Sequence, residues 1–239
     1  TNFHYAACLQ AQEESAEAFI RESARRTLPA WRALADDGVI ESRVVFEEIG
    51  RIREDMLPAW QFLSLARLAE GVTPDAFLHE TARHNGTLEE PLATVRRAEF
   101  LRPTRNAYHP GPGRAAPVYS IEYIRVFDSH LDAYREMMET RTGPAVGALV
   151  DEEFAHDFLT FDTERVNRSS AGMPDWTAIH ILGLDATSRW DAFPEAIDPH
   201  LRAIDPVSGF EQVFGPLPQI RAMERHVFAR RIEELSIGY

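Results

Sequence analysis

One histidine of the chain's nine stands where a strand could put it to chemical use. His180 lies in the run Trp176-Thr177-Ala178-Ile179-His180-Ile181. Strand alternation would put Trp176, Ala178, His180 and Leu182 on one face. An imidazole beside an indole and small apolar neighbours favours its neutral form and can act as general base or acid. In an ordinary core the same histidine would simply be hydrogen-bonded to a neighbour. A second apolar face carries Tyr119, Ile121, Tyr123, Arg125 and Phe127. Tyrosine and arginine in that setting bind an aromatic or anionic group, and Tyr123 and Arg125 would stabilise an oxyanion or hold a carboxylate. Arg225 and His226 are adjacent, so only one of them can join His180. Asp157 and Asp162 flank a strand and could orient a histidine. The expected site is thus His180, Tyr123 and Arg125 as catalytic groups, with Trp176, Ala178, Tyr119, Asp162, Arg225 and His226 lining the substrate pocket. No metal is expected: His79 and His84 are five residues apart, off a common helical face, and the other histidines lack ligand spacing.

The elements that must position these residues occur twice. Arg26-Thr27-x-Pro29-Ala30 returns as Arg141-Thr142-x-Pro144-Ala145, and Pro58-x-Trp60 returns as Pro174-x-Trp176. The first copy predicts a strand at 3–10 and a helix over 13–35 that kinks at Pro29 and ends at Asp36-Asp37-Gly38. Strands at 39–49 and 59–68 follow, then a helix capped by Thr73 that stops near Asn85-Gly86, and a strand at 95–102. The second copy predicts strands at 118–127, 158–166 and 176–184. Its helices are capped by Ser129 and Ser188, the latter broken by Pro199. The run 223–232 matches the last strand of the first copy through Arg225-x-x-Phe228-x-Arg230 against Arg97-x-x-Phe100-x-Arg102. The expected domains are a module over 1–105, a linker over 106–117 containing Pro110-Gly111-Pro112-Gly113, and a module over 118–239. In the paired third strands Ser64 stands opposite His180, and Phe62 opposite Ala178. Loss of a ring beside His180 would open space in the second copy only.

Composition narrows the chemistry. The net charge is −13 with no basic stripe, so nucleic acid is a poor partner. No apolar run reaches the ~18 residues of a membrane helix, so no membrane partner is expected. Cys8 is the only cysteine, which excludes an intrachain disulfide and a cysteine-based metal site and agrees with a cytoplasmic setting. There is no lysine, so neither a lysine Schiff base nor a Walker-type phosphate loop can form.

The order β-α-β-β-α-β is ferredoxin-like, four antiparallel strands with two helices on one face, and two copies can cover each other's bare sheets. In this order and its duplication the chain resembles the dimeric α/β-barrel superfamily in its tandem form. That resemblance implies an α+β fold of two modules packed sheet to sheet. The superfamily includes cofactor-independent monooxygenases, cyclases and isomerases, and haem-dependent chlorite dismutase and dye-decolorising peroxidase groups. The expected function is cofactor-independent proton transfer on a small, mostly apolar, aromatic molecule, of lyase, isomerase or cyclase type. The alternatives are a haem oxidoreductase of the chlorite-dismutase type, with His200 as candidate iron ligand, and a non-catalytic binding or assembly protein. The internal pseudo-dimer also admits further self-association into a homo-oligomer.

Overall fold

The computed structural model describes residues 2–53, 55–84, 88–90, 92–111 and 115–238. The first half runs β1 (His4–Ala11), α1 (Ala16–Arg26), α2 (Leu28–Asp36), β2 (Ile40–Arg53), β3 (Phe62–Leu68), α3 (Pro74–Arg83) and β4 (Ala93–Pro103). Ser15 caps α1 by accepting from the Ala18 N–H, and Thr73 caps α3 by accepting from the Ala76 N–H. The helical run breaks at Thr27, not at Pro29 itself. The Thr27 N–H and hydroxyl both turn back to the Ser23 carbonyl, and Pro29 falls in the first turn of α2, where its missing N–H is not needed. Gly38 ends the run with φ of +68°. The Asn85-Gly86 stop signal and the Pro112-Gly113 part of the linker lie outside the described residues.

The second half runs β5 (Val118–Val126), α4 (Leu131–Met137), a π-helical turn (Met138–Thr142), α5 (Gly143–Asp151), β6 (Asp157–Ser169), β7 (Ala178–Leu184), α6 (Ser188–Ile204), α7 (Phe210–Phe214), α8 (Leu217–Ile220) and β8 (Arg221–Arg231). Neither expected serine cap forms. A 3-10 turn over Asp128–His130 leads into α4, and α6 starts at Ser188 itself, after Thr187. α6 also continues through Pro194 and Pro199. Phe193, Ile197 and Leu201 form one buried stripe along it, and that packing holds the helix together across the missing backbone bonds.

The strands close into a barrel in the order β1-β3-β2-β8-β5-β7-β6-β4, all neighbours antiparallel. Each half contributes four adjacent strands, and the halves join at two seams, β2 with β8 and β4 with β6. This is the expected α+β class, with the two sheets sharing one interior. Even-numbered positions of β1 (Ala6, Cys8) and odd-numbered positions of β5 (Tyr119, Ile121, Tyr123) fill that interior. The opposite faces carry the helices.

At the barrel centre the halves hold each other. Arg97 of β4 lies 4.3 Å above the ring of Trp176 and donates to the Trp176 carbonyl (2.9 Å) and to Glu99 (2.8 Å). The Trp176 indole N–H donates to the other oxygen of Glu99 at 2.6 Å. Across the pseudo-twofold, Arg225 of β8 lies 3.8 Å from the centre of the Trp60 ring and donates to the Trp60 carbonyl and to Glu48. The repeated Pro-x-Trp and Arg-x-x-Phe-x-Arg motifs therefore meet each other, one from each half.

The chain between β4 and β5 is pinned. His109 pairs with Phe158 as a short bridge, and its imidazole lies 2.8 Å from the Gly143 carbonyl. A Cβ on Gly147 would stand 2.7 Å from that ring, so α5 needs glycine there.

Arg97→Ala should destabilise the chain by about 3–5 kcal/mol, because it leaves Glu99 buried without its cation. Urea unfolding followed by circular dichroism would measure it, and a loss below ~1 kcal/mol would contradict the central role given to this pair.

Candidate active site

A cavity of about 350 Å³ lies between the outer face of the second half's sheet and its helices. Its floor is formed by β5, β7 and β8, its walls by α4, the π turn and α6, and its roof by α7 and α8. The walls and roof are largely aromatic and thioether: Tyr134, Met138, Trp190, Phe193, Phe210 and Phe214. The π turn widens the helical backbone where Met138 and Thr142 enter the cavity.

Three ionisable side chains cross the floor in one line. Glu122 of β5 is directly opposite His180 of β7 on one side and His226 of β8 on the other. Glu122 Oε2 is 3.5 Å from His180 Nδ1, and Oε1 is 3.9 Å from His226 Nε2. The Ser120 hydroxyl lies 2.8 Å from the same His226 nitrogen. His180 Nε2 has no partner among the described residues. Burial alone would raise the Glu122 carboxyl, but the hydrogen bond from His180 and the nearby charges of His226 and Arg221 outweigh it and hold it down to about 2. Burial lowers the His226 imidazole below its ordinary value, more than Glu122 raises it. The arrangement is a fixed carboxylate between two imidazoles, able to orient them and to accept a positive charge on either. Among the described residues no group of three or more ligating side chains is disposed to hold a metal ion.

Arg221 and Tyr134 also line the cavity. The guanidinium donates to the phenol oxygen at 3.0 Å. Burial pushes the phenol up to about 12 despite that cation, so it stays protonated.

The structure sorts the expected site residues into two compartments. His180 and His226 line the cavity. Ala178 and Leu182 share that face in the helix-side core. Trp176 does not. The chain slips by one position ahead of β7, where the Thr177 N–H donates to Ile124 O and the Thr163 N–H donates to Thr177 O, so Trp176 joins Ile179 and Ile181 inside the barrel. Gln61 makes the matching pair of bonds in the first half. Tyr119 and Tyr123 also face the barrel interior, with Tyr123 edge-on to Trp60, so they are separated from His180 by the sheet itself. Arg125 is on the surface, paired with Glu224 at 2.6 Å. Arg225 is sealed in the barrel over Trp60. Asp162 pairs with Arg135 at 3.5 Å and is raised by burial, but it does not line the cavity. His200 faces Glu152 at 3.1 Å between α5 and α6 and is no candidate for a ligand in this cavity.

Sequence reading missed Glu122, Ser120, Tyr134 and Arg221. A signal existed for Glu122: it is a lone carboxylate on the face Val118, Ser120, Glu122, Ile124, Val126, in a strand apolar on both sides. For Tyr134 and Arg221 there was none, because their meeting depends on the docking of α4 against β8.

The register also explains why the matching cavity of the first half, beside Trp31, Glu89 and Ala98, is much smaller at about 130 Å³. The positions matching Glu122, His180 and His226 in the first half are Ala7, Ser64 and Ala98. Arg43 fills the space there, bonded to Ser64 (3.0 Å), Glu89 and the Leu235 carbonyl, with its guanidinium 4.5 Å from the centre of the Trp31 ring. Phe62 packs on Phe19 in that half, where Ala178 stands in the other.

No protein-family model and no curated protein matches the chain. Solved structures do. An anthrone oxidase-like protein aligns with TM-score 0.55 at 11% identity over 97% of this chain and 92% of its own. A mutant chlorite dismutase from Candidatus Nitrospira defluvii aligns with TM-score 0.54 at 10% identity over 98% and 92%. A heme-binding protein from Thermus thermophilus aligns with TM-score 0.50 at 10% identity over 98% and 92%. At these identities the likeness is one of fold, an α+β barrel. The expectation that no cofactor is involved is overturned by this likeness, since a heme-binding protein is built on the same barrel. Among the described residues no helix is long and apolar enough to cross a membrane.

Because the Glu122 carboxyl is held below its unfolded value, its contribution to stability is present above about pH 4.5 and is lost as pH falls towards 2. Glu122→Gln should flatten that acid limb. Thermal melts of both proteins between pH 2 and pH 5 would show it, and identical slopes would disprove the ionised Glu122.

Proposed function

We propose that the cavity is the active site of an enzyme that binds a small, mostly apolar aromatic molecule and moves a proton on it, an isomerase, lyase or cyclase type of reaction. Within the dimeric α/β-barrel superfamily the second module would be the working one. The observation that carries this reading is the His180–Glu122–His226 line on the floor of an otherwise apolar cavity. Ionisable groups whose protonation is set by specific charged partners in a cavity are characteristic of sites that move protons. His180 takes the proton at Nε2, Glu122 holds the ring through Nδ1 and balances the charge, and His226, whose Nε2 is bonded to Ser120, lies 3.9 Å from the far oxygen of Glu122. The aromatic walls exclude water, which strengthens these interactions. A volume of about 350 Å³ lies at the small end of the roughly 300–1,000 Å³ of ligand sites, which suits two or three fused rings. The anthrone oxidase-like neighbour is consistent with such a substrate.

A second reading, haem, is supported by the haem-binding neighbour and by one local feature. His180 has a carboxylate behind Nδ1 and a second nitrogen free of partners, the orientation that supports a metal-ligating imidazole. His180 would hold the iron and Arg221 a propionate. Haem there would supply one-electron and oxygen chemistry. The donor set fits, while the cavity as it stands is small for a porphyrin.

The test begins with ligand-dependent thermal shift across two- and three-ring phenols and ketones, and with haem titration read at the Soret band. A bound aromatic should raise the melting temperature by mass action. On a compound that is turned over, His180→Ala should reduce kcat roughly 10²–10⁴-fold, the range for general acid–base catalysis. Full turnover in that variant would remove His180 from the chemistry, and a Soret band lost in the same variant would decide for haem.

A further inference from the structure

The cavity holds a second polar group that the acid–base line does not use. Arg221 lines it and is the one arginine among its lining residues. Arg221 Nη1 donates to the Tyr134 oxygen, so that oxygen is an acceptor in the pair, and the phenol's own proton has no acceptor among the described residues. The hydroxyl is buried, kept protonated, and polarised by a guanidinium at 3.0 Å. Its ring lies nearly parallel to the His180 ring, at 13° and 6.4 Å between centres, and both residues line the same cavity. Leaving such a donor unspent is unfavourable in an apolar cavity, and a ligand oxygen would satisfy it.

We propose that Tyr134 and Arg221 form an oxygen clamp that makes the site specific for aromatic molecules bearing a carbonyl or phenol oxygen. This rests on the reading of the cavity as an aromatic proton-transfer site. The ligand's O–H or α C–H bond breaks, and an N–H bond forms at His180. The electron pair ends on the ligand oxygen, where the Tyr134 hydroxyl donates to it. No electrons leave the ligand. Arg221 strengthens the Tyr134 donor and offsets the charge that develops, as in preorganised oxyanion stabilisation. Tyr134 and Arg221 thus occupy the role that the Tyr123–Arg125 pair was expected to fill.

Isothermal titration with 1-naphthol and with naphthalene, which differ only in the oxygen, tests this directly. The intact chain should bind 1-naphthol roughly tenfold more tightly than naphthalene, as one well-placed hydrogen bond to a buried donor allows. Tyr134→Phe should erase that preference while leaving naphthalene affinity unchanged. Arg221→Met should act in the same direction, with partial recovery in Arg221→Lys. In the intact chain bound 1-naphthol should also ionise at lower pH than free 1-naphthol, seen in its absorption spectrum, and this shift should vanish in Tyr134→Phe. If both variants keep the tenfold preference, the ligand oxygen sits elsewhere and the clamp is wrong, while the aromatic site stands. If both affinities fall together in both variants, the two residues only pack the cavity, and the clamp is equally overturned. If the intact chain binds neither compound, the aromatic reading fails and the clamp with it.

Discussion

Everything in this fold depends on how two sheets, each with a bare face, close on one another around two buried arginines. Arg97 and Arg225 are almost wholly removed from solvent, which is tolerable only because each lies over an indole of the opposite half and reaches a carboxylate. The exchange is reciprocal: β4 of the first half grips the residue ahead of β7, and β8 of the second half grips the residue ahead of β3. Such contacts bring the seams β2–β8 and β4–β6 into register. The interior between the sheets is packed by apolar and aromatic side chains, and the cavity of about 350 Å³ lies outside it, under the helices.

The two outer faces then diverge by a few side chains. In the first half a small-residue trio (Ala7, Ser64, Ala98) leaves room that Arg43 and Glu89 partly take up. In the second half Glu122, His180 and His226 occupy the same register, no arginine fills the space, and α7 with α8 roof it. One backbone thus yields a small cavity in one half and a larger one in the other. The π turn at Met138–Thr142 belongs to the second half, contains the repeated Arg141-Thr142 motif and forms part of the cavity wall.

Much of this was legible in the chain. The duplication predicted the element order and the α+β class, but not that the Pro-x-Trp and Arg-x-x-Phe-x-Arg motifs meet: Trp176 and Arg225 were expected in the substrate pocket and lie inside the barrel instead. The comparison of Ser64 with His180 located the half that carries the cavity. Adjacency alone required Arg225 and His226 to face opposite sides of the sheet, and they do. Strand faces were less legible. Alternation failed at Trp176 because the register slips at Thr177, and one slip turns every residue before it to the other side. The tyrosines of β5 looked like a pocket because aromatic residues suit pockets and barrel interiors alike. Pro199 looked like a break because the loss of its N–H is local, whereas the packing of Phe193, Ile197 and Leu201 that overrides it is not.

The sequence by itself determined the local and the repeated: two modules, their strands and helices, and His180 as the residue that distinguishes one from the other. Only the tertiary structure decided which residues meet. Glu122 stands between two histidines because β5 is the strand shared by β7 and β8, and Tyr134 meets Arg221 because α4 docks over the start of β8. Strand order and helix docking are set by the closure of the whole barrel, a sum of contacts between residues far apart in the chain, and no window of sequence contains that sum.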